Sequence, residues 1–461
     1  MPDIRHEHVH FETRADVVIV GGGACGSCAA LAAADRGAEV VVLERDAAAL
    51  GSTAMSTGLI PAAGTPEQSA RGILDSPDIF FRDIMAKTKG RTDAALARRL
   101  TEESAETIAW LRDRHEVPLA LIDGFLYAGH SHLRMYGTPR RTGLELQAAL
   151  DAAIARTGAA PILEARVDSL YVDDETITGV AVARPDGSRE LIGCGALVLA
   201  CCGYAGNSAM VRRWIPEMAG AVYHGHLGNQ GDAIVWAEGL GAALADMAGY
   251  QGHGGLAVGH AIPILWPLIM EGGFQVNRLG RRFSNEAEGY SEQAAKVNAQ
   301  IDHLAWSIFD HRLHELMLGF DDYRDALDAG AIWVADSWAE LAAIAGLPTD
   351  PLRETAEDVE ACVRGERIDP FGRDFTGRPP LRPPFRAAKV TGALFHSQGG
   401  LVVDESARVQ RAAGGAFPNL FAGGGAARGI SGSEPGGYLA GNGLLTATTL
   451  GKLAGRTAAP A

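Results

Sequence analysis

No apolar run in the chain is long enough to cross a bilayer; the longest stretches, such as residues 261–270, fall well short of the ~20 residues a spanning helix needs. The polar N-terminus, with His6, His8 and His10, lacks the apolar core of a signal peptide, so a cytoplasmic protein with no integral membrane segment is expected. Positive charge is also short. Lys and Arg number 41 against 56 Asp and Glu, a net charge of −15, which disfavours nucleic acid or an anionic membrane as partner and leaves a small molecule. Cysteines number only 6 in 461 residues, too few for a disulfide framework. Cys25, Cys28, Cys194, Cys201 and Cys202 fall in apolar segments and read as small buried thiols. Cys25 and Cys28 have redox-motif spacing, but the pair overlaps a glycine loop where small residues serve packing. No internal repeat or long low-complexity segment is present.

Glycine, by contrast, is abundant at 58 residues, which implies tight turns and close backbone approach to a ligand. A chain of 461 residues is long for one hydrophobic core, so two lobes are expected. Asp16 to Gly21 is a β-branched apolar run, Ala24 to Arg36 an alanine-rich helix, and Glu39 to Glu44 a second apolar strand. Together they form a βαβ unit that opens a parallel sheet. Helices are expected across Asp93 to Glu116 and Gly143 to Arg156, short strands across Ile162 to Ile192, a strand at Ala196 to Cys202, and a closing helix at about Gly441 to Gly455. The centre is richer in aromatics and reads as an inserted lobe. The proline-dense Arg378 to Pro384 suits a stiff connection back to the first lobe. The layout is an α/β domain in two parts, 1–245 and 377–461, interrupted by a substrate lobe at 246–376.

Gly21, Gly23 and Gly26 sit between the first strand and the helix, where they supply the tight turn, the close approach to a pyrophosphate and the close helix packing. Ala24 opens the helix, whose free N–H groups point at the phosphates. Glu44, followed by Arg45, ends the second strand where a carboxylate accepts a ribose hydroxyl pair. On these residues alone the dinucleotide is NAD or FAD.

Two further segments separate the cofactors. The loop 51–58, with Gly51, Ser52, Thr53, Ser56 and Gly58, and the stretch 419–425, ending in Gly424 and Gly425, resemble the FAD-binding segments of the fumarate reductase and succinate dehydrogenase flavoprotein family. The resemblance covers nearly the whole chain. It implies FAD and a Rossmann-like FAD-binding domain with an inserted α+β capping domain. Family members that bind flavin covalently carry a histidine where this chain has Thr53, so non-covalent FAD is expected. Gly399 and Gly400 are family-typical as well and are expected to lie against the flavin ring, while the glycine-rich approach to Gly441 and Asn442 offers a helix N-terminus to reduced flavin.

The segment 277–286 resembles the family's substrate-lobe motif, which leads to a catalytic residue four places after Glu286. That place holds Tyr290. Fumarate reductases have a proton-donating arginine there, and ketosteroid dehydrogenases a tyrosine. Aligned on Gly441 and Asn442, Tyr438 likewise stands where fumarate reductases hold a second arginine and ketosteroid dehydrogenases a ketone-binding tyrosine. With both arginines missing, a dicarboxylate would lose its bidentate partners.

The resemblance implies an oxidoreductase that makes a C=C bond beside the carbonyl of a cyclic ketone, steroid-like or smaller; the alternative is a reductase of an unsaturated acid or enone. Tyr438, with an N–H from the Gly441 to Gly443 stretch, would stabilise an enolate. Tyr290, directly or through Tyr127, would take the proton. A packing role is the competing reading for each tyrosine. His253 and His396 stand where fumarate reductases place substrate histidines, or His396 hydrogen-bonds within the flavin loop. The expected partners are a ketone or enone and an external electron acceptor, a quinone, dye or dioxygen.

Overall fold

The computed structural model describes residues 2–124 and 126–460. The chain divides into two compact units, Met1–Ile215 with Gly225–Tyr250 and His396–Ala461, and Pro216–His224 with Gln251–Phe395.

The first unit is built on the expected βαβ opening. The strand Thr13–Val20 runs parallel to Val40–Leu43 on one side and to Arg189–Leu199 on the other. Arg189–Leu199 in turn pairs in parallel with Ala416–Ala422, which brings the C-terminal part of the chain into the same sheet. The strands at Arg166–Asp173 and Thr176–Ala183 form an antiparallel extension. The helix Ala24–Ala34 is buried along nearly its whole length, as expected of an Ala-rich segment with no polar face. It packs on the closing helix, Asn442–Ala458, through two glycines. A Cβ on Gly451 would lie 2.3 Å from the Cys25 carbonyl oxygen, and one on Gly455 2.0 Å from that of Ala29. Val17, Ile19, Leu31, Leu197, Leu420 and Leu450 meet in the resulting core. The helix expected from Asp93 starts with that residue as its cap, runs Ala94–Ala109, and widens into a π-turn at Trp110–Arg114.

The second unit is α+β. Its central strand, Phe385–Ser397, pairs antiparallel with Leu304–Asp310 and Ile332–Ala335, and in parallel with the short Val222–Tyr223. Alternation along Leu304–Asp310 sends Trp306 and Ile308 to one face, under the helices Trp338–Ala345 and Thr349–Val363, and Ala305 and Phe309 to the other, under His311–Met317 and Asp321–Asp328. The proline-dense segment lies inside this unit and feeds its central strand, so it is not a connection between lobes. Among the described residues no helix is long and apolar enough to cross a membrane.

Candidate active site

The glycine loop is shaped by backbone contacts that no side chain would allow. Gly21 has φ +108, and a Cβ there would lie 2.5 Å from the Ala200 carbonyl oxygen; one on Gly26 would lie 1.9 Å from the Gly21 carbonyl oxygen. Gly23 differs, since a Cβ would meet only the Thr53 hydroxyl, at 3.2 Å. That is the open approach a phosphate needs. The helix that follows has no side-chain cap and no acidic residue in its first turn, which suits an anion. The Ala24 amide donates to Thr53 Oγ1 at 2.9 Å, so Thr53 holds the loop to the helix. Glu44 takes its expected place at the strand end, accepting from the Gly22 amide at 2.8 Å and the Asp46 amide at 3.1 Å. Arg45 donates to the Gly228 carbonyl at 2.9 Å.

The other expected cofactor residues fall into two groups. Ser52, Ser56 and Gly58 organise the loop: Ser52 Oγ accepts from Asn229 Nδ2 at 3.0 Å, Ser56 Oγ donates to the Thr53 carbonyl at 2.7 Å, and Gly58 takes a left-handed φ of +67 beneath the Thr142 carbonyl. Gly51 stands in open space. Gly399, Gly400, Gly424 and Gly425 instead permit crossings of backbone: a Cβ on Gly399 would lie 2.3 Å from the Asp246 carbonyl oxygen, one on Gly400 2.6 Å from that of Ala426, and one on Gly425 2.8 Å from the Gly203 nitrogen. Gly424 itself has φ +57. Gly441, at φ +82, caps the closing helix. The next residue, Asn442, is fully buried, and its Oδ1 has no hydrogen-bond partner, an acceptor that an imide N–H such as that of a flavin would satisfy. Gln147, which the sequence did not single out, is buried and donates to the Gly22 carbonyl at 3.0 Å. The loop, the acid at the strand end and this orphan acceptor all fit FAD. Cys25 is packed against Gly423, and burial pushes the Cys28 thiol up to about 12, so neither suits redox exchange.

In the same unit Tyr438 and His396 come together. Their rings meet edge to face with centroids 5.6 Å apart. Tyr438 is buried, and desolvation pushes its phenol well above the usual 10, opposed by the Gly443 amide, which donates to the phenolic oxygen. The amide expected to meet an enolate thus orients the hydroxyl instead. An oxygen that accepts this bond keeps its O–H directed elsewhere, which makes Tyr438 a neutral donor. His396 retains some exposed surface, yet the protein around it depresses its pKa from 6.5 to about 4, so the ring is a neutral imidazole. Tyr127 lies in a separate cleft with His130 and Met135, half-buried, and its carbonyl accepts from the His130 amide at 3.1 Å. His130 Nε2 reaches the Ala440 carbonyl at 3.0 Å.

In the second unit Tyr290 opens the helix Tyr290–Asn298, after Gly289 at φ +146. Ser291 Oγ accepts from the Gly252 amide at 2.9 Å, which ties this helix start to the strand carrying His253. His253 is consequently stacked on Tyr290, with centroids 5.3 Å apart, and on Phe395 at 5.3 Å, with Trp266 edge-on at 5.7 Å. Burial drops its pKa to about 3, and Nδ1 accepts from the Gly255 amide at 3.1 Å. Tyr290 remains half-buried. The charged residues of the preceding motif form a buried ion cluster. Glu286 accepts from Arg282 Nη2 at 2.8 Å, Arg373 Nη1 at 3.1 Å and the Gln275 amide at 3.1 Å, while Arg282 also pairs with Asp369. Hydrogen bonding to Arg282 and the charges of both arginines hold the Glu286 carboxyl below its usual range despite its burial. The motif's charges therefore anchor the segment that ends at Tyr290.

A family model described as an FAD binding domain matches residues 16–444. The chain belongs to this FAD-binding family. It is an FAD-dependent oxidoreductase acting on CH–CH groups, with a Rossmann-like FAD domain and a capping domain. A relative named fumarate reductase (cytochrome), from Shewanella frigidimarina, is 29% identical over 447 residues, 96% of this chain and 77% of its own length. The open conformation of a flavocytochrome c3 fumarate reductase matches with a TM-score of 0.82 at 26% identity, covering 97% of this chain and 78% of that one. A 3-ketosteroid-Δ4-(5α)-dehydrogenase from Rhodococcus jostii, solved with 4-androstene-3,17-dione, matches with a TM-score of 0.79 at 26% identity over 100% of both chains.

Proposed function

We propose that this oxidoreductase desaturates a cyclic ketone, steroid-like or smaller, at the C–C bond beside the carbonyl. The observation that carries the reading is the buried Tyr438 hydroxyl, held protonated by desolvation and oriented by the Gly443 amide. A neutral donor of this kind strengthens its hydrogen bond as negative charge grows on a carbonyl oxygen, which lowers the barrier to loss of the neighbouring proton. Tyr290, acting as tyrosinate, is assigned that proton; its half-buried ring opens a helix and stacks on the His253 ring. Gly21, Gly23, Gly26, Glu44 and Asn442 would hold FAD. Two-electron redox chemistry at the C–H bond is what FAD supplies when bound. Electrons then pass to an external acceptor such as a quinone, dye or dioxygen.

The tyrosines at 290 and 438, where a dicarboxylate enzyme would hold arginines, support a ketone over fumarate. Reduction of an unsaturated acid or enone is the second reading, favoured by the Shewanella relative's name. The experiment is anaerobic: oxidised holoprotein is offered saturated cyclic ketones, and reduced holoprotein the matching enones and unsaturated acids, with products identified by mass. Bleaching and loss of two hydrogens with ketones support the proposal. Turnover confined to acids contradicts it.

A further inference from the structure

We propose that Gln398 is a positioning residue that fixes His396 as its Nε2–H tautomer, making it a second hydrogen-bond donor beside Tyr438. The inference rests on the carbonyl-directed reading above and deepens it. Gln398 Nε2 lies 3.0 Å from His396 Nδ1, and Gln398 Oε1 accepts from Ser431 Oγ at 2.8 Å. Both Gln398 and Ser431 are buried, so their hydrogen bonds must be made within the protein. Ser431 Oγ also stands 3.5 Å from Asn442 Nδ2.

The chain of donors then has one direction. The Ser431 hydroxyl gives its single proton to Gln398 Oε1 at 2.8 Å, and the Gln398 amide nitrogen is left facing the histidine. His396 Nδ1 must accept, and a neutral ring that accepts at Nδ1 carries its proton at Nε2. The opposite arrangement would place a proton on Nδ1 toward the Ser397 carbonyl, but that contact is long, at 3.4 Å.

His396 Nε2 and the Tyr438 oxygen both border Gly443. From the position a Cβ would take on Gly443, His396 Nε2 is 3.4 Å away and the Tyr438 oxygen 3.6 Å away. Glycine leaves the notch between the two groups open, and two N–H and O–H donors facing one notch suit a single carbonyl or enolate oxygen. The arrangement gives His396 the role of donor and excludes it as the base. Gln398 acts only through the ring it orients.

The test reads the tautomer directly and needs no substrate. Holoprotein labelled with ¹⁵N-histidine is examined by long-range ¹H–¹⁵N correlation, with the His396 signals identified by their loss in His396→Gln. Wild type should show Nε2 protonated and Nδ1 bare at neutral pH. Gln398→Glu, nearly the same shape, replaces the donor with an acceptor and should move the proton to Nδ1, leaving Nε2 bare. Protonated Nδ1 with bare Nε2 in the wild type would overturn the proposal, as would a tautomer unchanged in both Gln398→Glu and Gln398→Leu. A second arm titrates oxidised holoprotein with 4-nitrophenolate as an oxyanion probe. Gln398→Glu should weaken its binding about 10-fold or more; wild-type affinity in that variant, despite a switched tautomer, would sink the donor role. If binding depends on Gln398 but not on Tyr438, tested as Tyr438→Phe, the Gln398 assignment stands and the ketone reading of Tyr438 falls.

Discussion

Three histidines with depressed pKa values should make this protein acid-labile between about pH 7.5 and about 5. Burial depresses His130 and His253 from 6.5 to about 3 and His396 to about 4, so each is neutral in the folded chain and basic once unfolded. A group whose folded pKa is lowered in this way gives stability above its unfolded pKa and loses it as pH falls toward the folded one. Between about pH 7.5 and about 5 each histidine costs about 2 kcal/mol, or about 6 in all. Asp322 works in the opposite direction. Its carboxyl is raised from 3.8 to about 6 by burial and by Asp325 and Asp321, so acid relieves a penalty of about 1.4 kcal/mol over the same window. From these four groups the net loss is about 5 kcal/mol, a large share of the 5–15 kcal/mol typical of a folded domain.

The loss is uneven. His130 and His396 belong to the first unit, whereas His253 shares the second with Asp322 and is largely offset. Urea unfolding of holoprotein, followed by tryptophan fluorescence at both pH values, measures the change. His130→Gln keeps a donor for the Ala440 carbonyl and should remove about 2 kcal/mol of the pH dependence. Stability that differs by less than about 1 kcal/mol between the two pH values would refute the reasoning.

Three other outcomes are expected. Gly26→Ala should abolish FAD retention, because its Cβ would fall 1.9 Å from a carbonyl oxygen; absorbance at the flavin band after purification reads it. Heat or acid should release intact FAD into the supernatant, since Thr53 offers no attachment point, and flavin retained on the precipitate would contradict this. Glu286→Gln should destabilise the second unit by about 3–5 kcal/mol by removing the buried carboxylate that Arg282 and Arg373 share, measured as a lowered thermal midpoint with the flavin spectrum unchanged.

What was legible in the sequence was local. The strand, glycine loop and helix from Asp16 to Glu44 follow from neighbours in the chain, and Gly21 and Gly26 there make close backbone contacts that leave no room for a side chain. Tyr438 with the Gly441 to Gly443 stretch reads apart from His396 in the sequence, and the fold brings them to one place. Non-local pairings were not legible. The piece Pro216–His224 joins the second unit because Val222 and Tyr223 pair with Ala393 and Leu394, far along the chain. The charges of Arg282 and Glu286 read as a lead-in to chemistry, while their partners Asp369 and Arg373 lie in a segment that carried no signal. Gln398 stands between a histidine and two glycines with nothing in the sequence to mark it, because its role depends on the distant Ser431.

The most direct test of carbonyl-directed chemistry is stopped-flow flavin bleaching by a cyclic ketone under anaerobic conditions, for wild type, Tyr438→Phe and Tyr290→Phe. Loss of the enolate donor and loss of the proton acceptor should each slow bleaching by about 10²-fold or more while FAD stays bound, with ketone affinity weakened only in Tyr438→Phe. Bleaching at the wild-type rate in both variants would show that these tyrosines merely pack, and would contradict the account.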